Sequence, residues 1–223
     1  MAERSRPYHH GDLRAALVAE GLEISRHQGP SALSLREVTR RAGVSPAAAY
    51  RHFRDRHALM VALSGEIQAR MVQRMRSRTR HGCSGDEDGD DEAGAALARL
   101  RGVGLGYIDF AIEEPGWFEL AFFGERARDG AEAGAADDAA LDPAEEVELQ
   151  DVPPFAELLA ALDECVRTGV LPAHRRDGAE LSCWSAVHGC AELMVHGPLR
   201  GAPREVASTV AQRVVDDIIA GIR

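Results

Sequence analysis

Apolar residues recur at three- and four-residue steps along almost the whole chain, and the two-residue alternation of a half-buried strand is absent. This periodicity predicts an all-α protein. A first helix is expected from Asp12 to about His27, with Leu13, Leu17, Gly21 and Ile24 on one face and a stop near Gly29-Pro30. A second carries Leu35, Val38 and Ala42 at helical spacing and ends at Gly43, which can take the left-handed conformation of a helix terminus. Ser34 and Glu37 fit a capping box, the Ser34 hydroxyl accepting from the Glu37 amide while the Glu37 carboxylate reaches back. Thr39 reads as a surface or half-buried position without consequence. A third, short helix starts with Ser45 as cap and Pro46 in its first turn, and Phe53 closes it. Asp55 can cap a long fourth helix to about Arg80.

Further helices are expected over 95–114, from about Pro154 to Arg167, from Asp177 to His196 and from Pro203 to Ile222. After the break at Pro115-Gly116 comes a short aromatic segment, Trp117 to Phe123. The last helix carries Val206, Val210, Val214 and Ile218 at four-residue steps, with Val215 and Ile219 beside them. Two stretches interrupt the helical pattern. Residues 82–94 hold six acids and four glycines and read as a disordered linker; residues 125–151 are Ala-rich with ten acids and read as a mobile loop. Residues 1–10 read as a flexible basic arm. The expected division is therefore an arm (1–10), an N-terminal three-helix domain (11–58) and a C-terminal helical bundle (59–223).

Charge changes the picture. The net charge of −10 is split unevenly: residues 1–80 hold 15 Arg against 7 acids, residues 81–223 hold 11 Arg against 29. An acidic protein whose positive charge gathers in one domain has the footprint of a nucleic-acid module. All 26 basic residues are arginine, with no lysine or asparagine, which fits a GC-rich coding sequence. The four cysteines (Cys83, Cys165, Cys183, Cys190) have no C-x-x-C spacing and read as reduced thiols. With no apolar h-region at the N-terminus and no apolar run long enough to span a bilayer, a cytoplasmic protein is expected.

The stretch 34–59, two short helices joined by a glycine-containing turn, has the form of a helix-turn-helix, whose second helix enters the major groove. Ala42-Gly43-Val44-Ser45, Tyr50, His52-Phe53, Arg56 and Leu59 fix nine positions in 18, and this pattern resembles the tetracycline-repressor (TetR) family of transcriptional regulators. Tyr8 to Leu17 resembles the start of one branch of that family. The resemblance implies that Tyr50, His52 and Arg56 grip the DNA backbone; the family usually has Lys where Arg56 stands. The recognition helix is Pro46-Ala47-Ala48-Ala49. Ala47 or Ala48 can sit against a thymine methyl, and hydrogen-bonded base reading falls to Arg36, Ser45, Tyr50, Arg51 or the arm residues Arg4 and Arg6. Ser34, Pro46 and His52 complete the DNA-facing set. Binding through phosphates and DNA shape alone is the other possibility.

In the C-terminal half, Trp184-Ser185-Ala186-Val187-His188-Gly189 resembles the W-x-x-x-H-G signature of one C-terminal domain type of the family, as do Tyr107 to Ala111 and Pro115 to Phe118. Trp184 and His188 share a helix face. With Tyr107, Phe110, Trp117, Phe122 and Phe123 they are candidates to line a ligand cavity, or else ordinary core. Cys183, His188, Cys190 and His196 are close in sequence, but His188 points about 140° from Cys183 on a helical wheel, so neither metal nor cofactor is expected. No nucleophile elbow, P-loop, dinucleotide fingerprint or H-E-x-x-H motif is present, so the chain is not expected to be an enzyme.

The apolar faces of the last two helices, Val206, Val210, Val214, Val215, Ile218 and Ile219 among them, exceed what one helix pair needs, and a two-fold four-helix interface would bury them. The resemblance implies a homodimer. The reading reached is a homodimeric regulator, a repressor, that leaves a palindromic double-stranded operator when an apolar or aromatic effector binds, with the fourth helix as lever. The alternative is a DNA-binding dimer with no small-molecule ligand, whose C-terminal half serves only dimerisation or a protein partner.

Overall fold

The structure is a computed structural model, and it describes residues 13–82, 92–123 and 149–223. The expected arm, with Arg4 and Arg6, Cys83 and most of both acidic segments lie outside the described residues.

Two compact units are present. The first contains α1 (Leu13–Gln28), α2 (Leu35–Ala42), α3 (Pro46–Ala49), the start of α4 (Arg56–Gly82) and nearly all of α6 (Pro115–Phe123). Its core is built from Leu17, Ile24, Leu33, Val38, Phe53, Leu59 and Leu63. Gly21 lets Leu63 come close: a Cβ there would stand 3.0 Å from a Leu63 methyl. Ser34 caps α2 by accepting from the Glu37 amide at 3.1 Å, Gly43 ends it at φ 68°, and Asp55 accepts from the Ala58 amide at 2.7 Å.

Three expectations for this unit need correcting. The Glu37 carboxylate does not reach back to close the capping box; it accepts from Arg40 at 2.7 Å and Arg41 at 3.0 Å. Thr39 is 2% exposed, and its hydroxyl donates to the Arg36 carbonyl at 2.9 Å, which removes the penalty of burying it. α3 stops at Ala49, and Phe53 follows a turn instead of closing the helix.

α6 sits on α1. The Trp117 indole donates to the Leu22 carbonyl at 2.8 Å, and the Arg26 guanidinium lies 5.0 Å over its ring. Gly116 abuts the Ser25 and Arg26 carbonyls so closely that a Cβ would collide with both.

The second unit is built from α4 beyond Glu66, α5 (Glu92–Glu113), α7 (Pro153–Arg167), α8 (Ala179–Val195) and α9 (Arg204–Ile222). α5 is its axis, buried without interruption from Gly102 to Ile108. A helix can be buried on all sides only if some neighbours come very close. Gly102 and Gly106, one turn apart, allow this: a Cβ at Gly102 would stand 2.8 Å from Thr79 Cα, and one at Gly106 2.6 Å from Met75 Cα. Ion pairs rim the bundle, including Arg76 with Glu157, Arg99 with Glu164, and Arg101 with Asp216 at 2.6 Å. α5 begins inside the stretch read as a linker, at Glu92.

Candidate functional site

The DNA-facing candidates among the described residues lie on α2, α3 and the turn after α3. Ser34, Arg36, Ser45, Pro46, Ala47, Tyr50, Arg51 and His52 are all exposed, Tyr50 by 57%; Ala48 is half-buried, and Ala49 is fully buried against the core. The Ser45 hydroxyl caps α3, accepting from the Ala48 amide at 3.3 Å. Not all of the positive charge nearby is available. The hydrogen bonds from Arg40 and then Arg41 hold the Glu37 carboxyl down at about 2, so it is ionised at any working pH and offsets part of their charge. Arg54 lies 3.3 Å from Asp55. Arg36 and Arg51 form no ion pair among the described residues.

Arg56, expected to grip phosphate, is half-buried and also holds backbone carbonyls. Its guanidinium donates from Nε to the Leu33 carbonyl and from Nη2 to the Pro30 carbonyl, both at 2.7 Å. Those carbonyls belong to the short 3₁₀ turn between α1 and α2, so Arg56 fastens that turn to the start of α4. Two charge-assisted bonds to backbone carbonyls carry a stabilisation of about 2 kcal/mol after allowing for partial exposure. Arg56→Ala is therefore expected to weaken the N-terminal unit in urea unfolding by that amount and to leave the salt slope of DNA binding unchanged. A slope smaller by about one phosphate, with unaltered stability, would return Arg56 to the DNA backbone.

The second unit holds a cavity. α4 contributes Met75, α5 contributes Leu100, Val103 and Tyr107, and α7 contributes Pro154 and Leu158; Cys183, Trp184 and Val187 of α8 and Val215, Ile218 and Ile219 of α9 close it. The empty space among these atoms is about 370 Å³, open solvent at the mouth included, and little of it is wide enough for a water molecule. No charged side chain lines it. The Trp184 ring meets Tyr107 and Phe155 edge-on at 5.1 and 5.3 Å and stacks on His188 at 5.9 Å, 10° from parallel. The Tyr107 hydroxyl is hydrogen-bonded to His188 Nδ1 at 2.7 Å. Burial pushes the Tyr107 phenol well above its ordinary range and the His188 imidazole below its own, so both are neutral near pH 7. Burial also pushes the Cys183 thiol up to about 11, which makes it a wall atom and not a nucleophile.

Of the ligand-lining candidates the structure brings together Tyr107, Trp184 and His188. Phe110 is buried on α5 but does not line the cavity. Trp117 belongs to the first unit, as does Phe122, whose ring meets Phe118 at 5.2 Å. Phe123 ends α6, and its side chain is outside the described set. Met75, Leu100 and Leu158 were missed because nothing in an aliphatic pattern marks one core residue as facing a void.

The interface candidates also divide. Val215 is 1% exposed, and with Ile218 and Ile219 it lines the cavity of its own protomer. Val206, Val210 and Val214 lie on the outer stripe of α9, Val206 being 46% exposed. α8 carries an exposed stripe of its own. Leu181, Ser185, Gly189 and Leu193 recur at four-residue steps, and all are exposed.

Among the described residues no group of three or more His, Cys, Asp and Glu could hold a metal ion, and no helix is long and apolar enough to cross a membrane.

Residues 17–63 match the family of bacterial regulatory proteins named for tetR, and residues 100–218 match the tetracyclin repressor-like C-terminal domain. The second match alone covers more than half of the chain. The chain belongs to the TetR family. Similar solved structures share its fold. A protein of unknown function from Rhodococcus sp. RHA1 is 26% identical over 98% of this chain and 99% of its own, with a TM-score of 0.69. A TetR variant from Acinetobacter baumannii AYE, solved in complex with minocycline, is 16% identical over 93% and 94% with a TM-score of 0.58. The TetR-family regulator PfmR from Thermus thermophilus is 17% identical over 93% and 95% with a TM-score of 0.51. This TetR-family protein is thus a DNA-binding transcriptional regulator and not an enzyme, and the α2–α3 surface is its helix-turn-helix.

Proposed function

We propose that this regulator is a homodimeric repressor, bound to a near-palindromic operator and released from it when an uncharged apolar or aromatic molecule occupies the cavity beside Trp184. The observation that carries the reading is the cavity, because its walls come from every helix of the second unit and include no charged side chain. An ionised ligand would lose its hydration there without compensation, whereas an aromatic ring finds Trp184, Tyr107 and aliphatic walls. The Tyr107–His188 pair offers one neutral hydrogen-bonding point at its edge. Release requires the ligand to favour a head spacing that mismatches the operator, since equal affinity for both states shifts nothing. Dimerisation is supported by the exposed stripes on α8 and α9, and a dimer on a palindrome doubles the contacts of one short recognition helix. Tyr50, His52, Arg36 and Arg51 are the side chains assigned to DNA in this reading.

The test is fluorescence anisotropy of a selected operator fragment while neutral aromatic compounds and their carboxylate counterparts are titrated in. A neutral compound should release the DNA with a saturable midpoint. Trp184→Ala should raise that midpoint at least about tenfold, the equivalent of roughly 1.4 kcal/mol, and leave DNA affinity without ligand unchanged. An unaltered midpoint would remove Trp184 from the site. The small room now present favours a second reading, in which the bundle only dimerises, and failure of every compound to release DNA would establish it.

A further inference from the structure

We propose that the recognition helix reads its operator through a C5-methyl group on a base, seated on Ala47, and makes no hydrogen-bonded base contact of its own. The inference rests on the regulator reading above and names what the helix selects.

α3 is four residues long, and each side chain can be accounted for. Ala49 is fully buried and Ala48 half-buried, so the helix presents mainly the Pro46 ring and the Ala47 methyl, with part of the Ala48 methyl beside them. The Ser45 hydroxyl, just before the helix, accepts from the Ala48 amide as its cap and keeps its own proton to donate. Polar side chains resume at the C-terminal edge of the helix, with Tyr50, whose backbone is still helical and whose amide bonds the Pro46 carbonyl, and then Arg51 and His52. The exposed side chains of Pro46–Ala49 therefore carry methyl and methylene groups only, with Ser45 and Tyr50 flanking them. In the major groove the four base pairs differ in their donors and acceptors and in one apolar feature, the C5-methyl of thymine. A surface with no donor or acceptor is blind to the former and responds to the latter. It also leaves groove-edge polar atoms to water, so an uncontacted donor or acceptor costs little where water can stay. One consequence is specific to this chemistry: thymine and 5-methylcytosine present the same methyl, so methylation of cytosine at that position imitates the preferred base.

The experiment selects binding sites for the full-length protein from a random DNA library, then varies each selected thymine. Replacing the critical thymine by uracil removes one methyl and should weaken binding about fourfold in one half-site and about fifteenfold in both. At the same position 5-methylcytosine should bind several-fold tighter than cytosine. Ala47→Gly should make thymine and uracil equivalent; Ala47→Ser, which keeps the helix better, should also shrink the difference, and salt-dependent binding to random DNA will show that each variant retains its head. The proposal is overturned if uracil is tolerated at every selected thymine, or if Ala47→Gly keeps the full discrimination. Failure of the selection to enrich any sequence would overturn the regulator reading itself, a different result from an enriched site that is indifferent to the methyl.

Discussion

Gly106→Ala is expected to lower the melting temperature by about 6–12 °C, while Gly65→Ala is expected to raise it slightly. Both replace a helical glycine by the best helix former, so propensity favours the variant in each case by roughly 0.5–1 kcal/mol. The difference lies in what the new methyl meets. At Gly65 it meets nothing within 4 Å. At Gly106 it lies 2.6 Å from Met75 Cα and 3.0 Å from Met75 N, and backbone, unlike a side chain, has no alternative rotamer. α4 and α5 must separate, which opens gaps at Gly102–Thr79 as well. Overpacking costs about 1–3 kcal/mol where side chains can yield. Here about 3 kcal/mol net is expected, a large part of the 5–15 kcal/mol typical of a folded protein. Thermal unfolding of the two variants side by side decides the matter; equal melting temperatures would show that the two helices do not hold this separation.

Leu193→Glu combined with Val206→Glu is expected to yield a folded monomer whose operator affinity is lower by roughly a hundredfold or more, because the second half-site no longer binds at the high effective concentration set by the first. Each residue is 46% exposed in the single protomer, so a carboxylate at either site stays hydrated and the bundle loses little. Across a two-fold interface the same four charges per dimer would be buried together without partners. Light scattering gives the mass, and circular dichroism reports the fold. A dimer that survives both substitutions would place the subunit contact on another face.

The N-terminal unit was largely legible because its signals are local. Ser34, Gly43, Ser45 and Asp55 act through backbone groups within five residues, and each does what its position in the sequence implied. What was not legible depends on partners distant in sequence. Glu37 had a choice between its own cap and two arginines one turn on, and charge decided it. Nothing local marks that Arg56, expected to grip phosphate, also donates to carbonyls 23 and 26 residues earlier. Trp117 was grouped with the C-terminal aromatics, yet its indole proton goes to Leu22. On α9 the periodicity identified apolar stripes without saying which faces inward. In the fold it is the stripe with Ala207 and Ala211, whose small side chains let the helix approach its neighbours, and this commits Val215 and Ile219 to the cavity.

α4 and α5, touching backbone to backbone at their glycines, form the fixed jaw of a vice. The backbones behind Met75, Val103 and Tyr107 are therefore held together, although the lining side chains themselves can change rotamer. On the opposite side, α7, α8 and α9 meet the cavity through side chains, Leu158, Trp184 and Ile218 among them. On the proposed reading, a guest larger than the present space is expected to push α7, α8 and α9 outward while α4 and α5 stay together. Two of those helices carry Leu181, Leu193 and Val206 on their outer faces, so the guest's size is felt first at that outer surface.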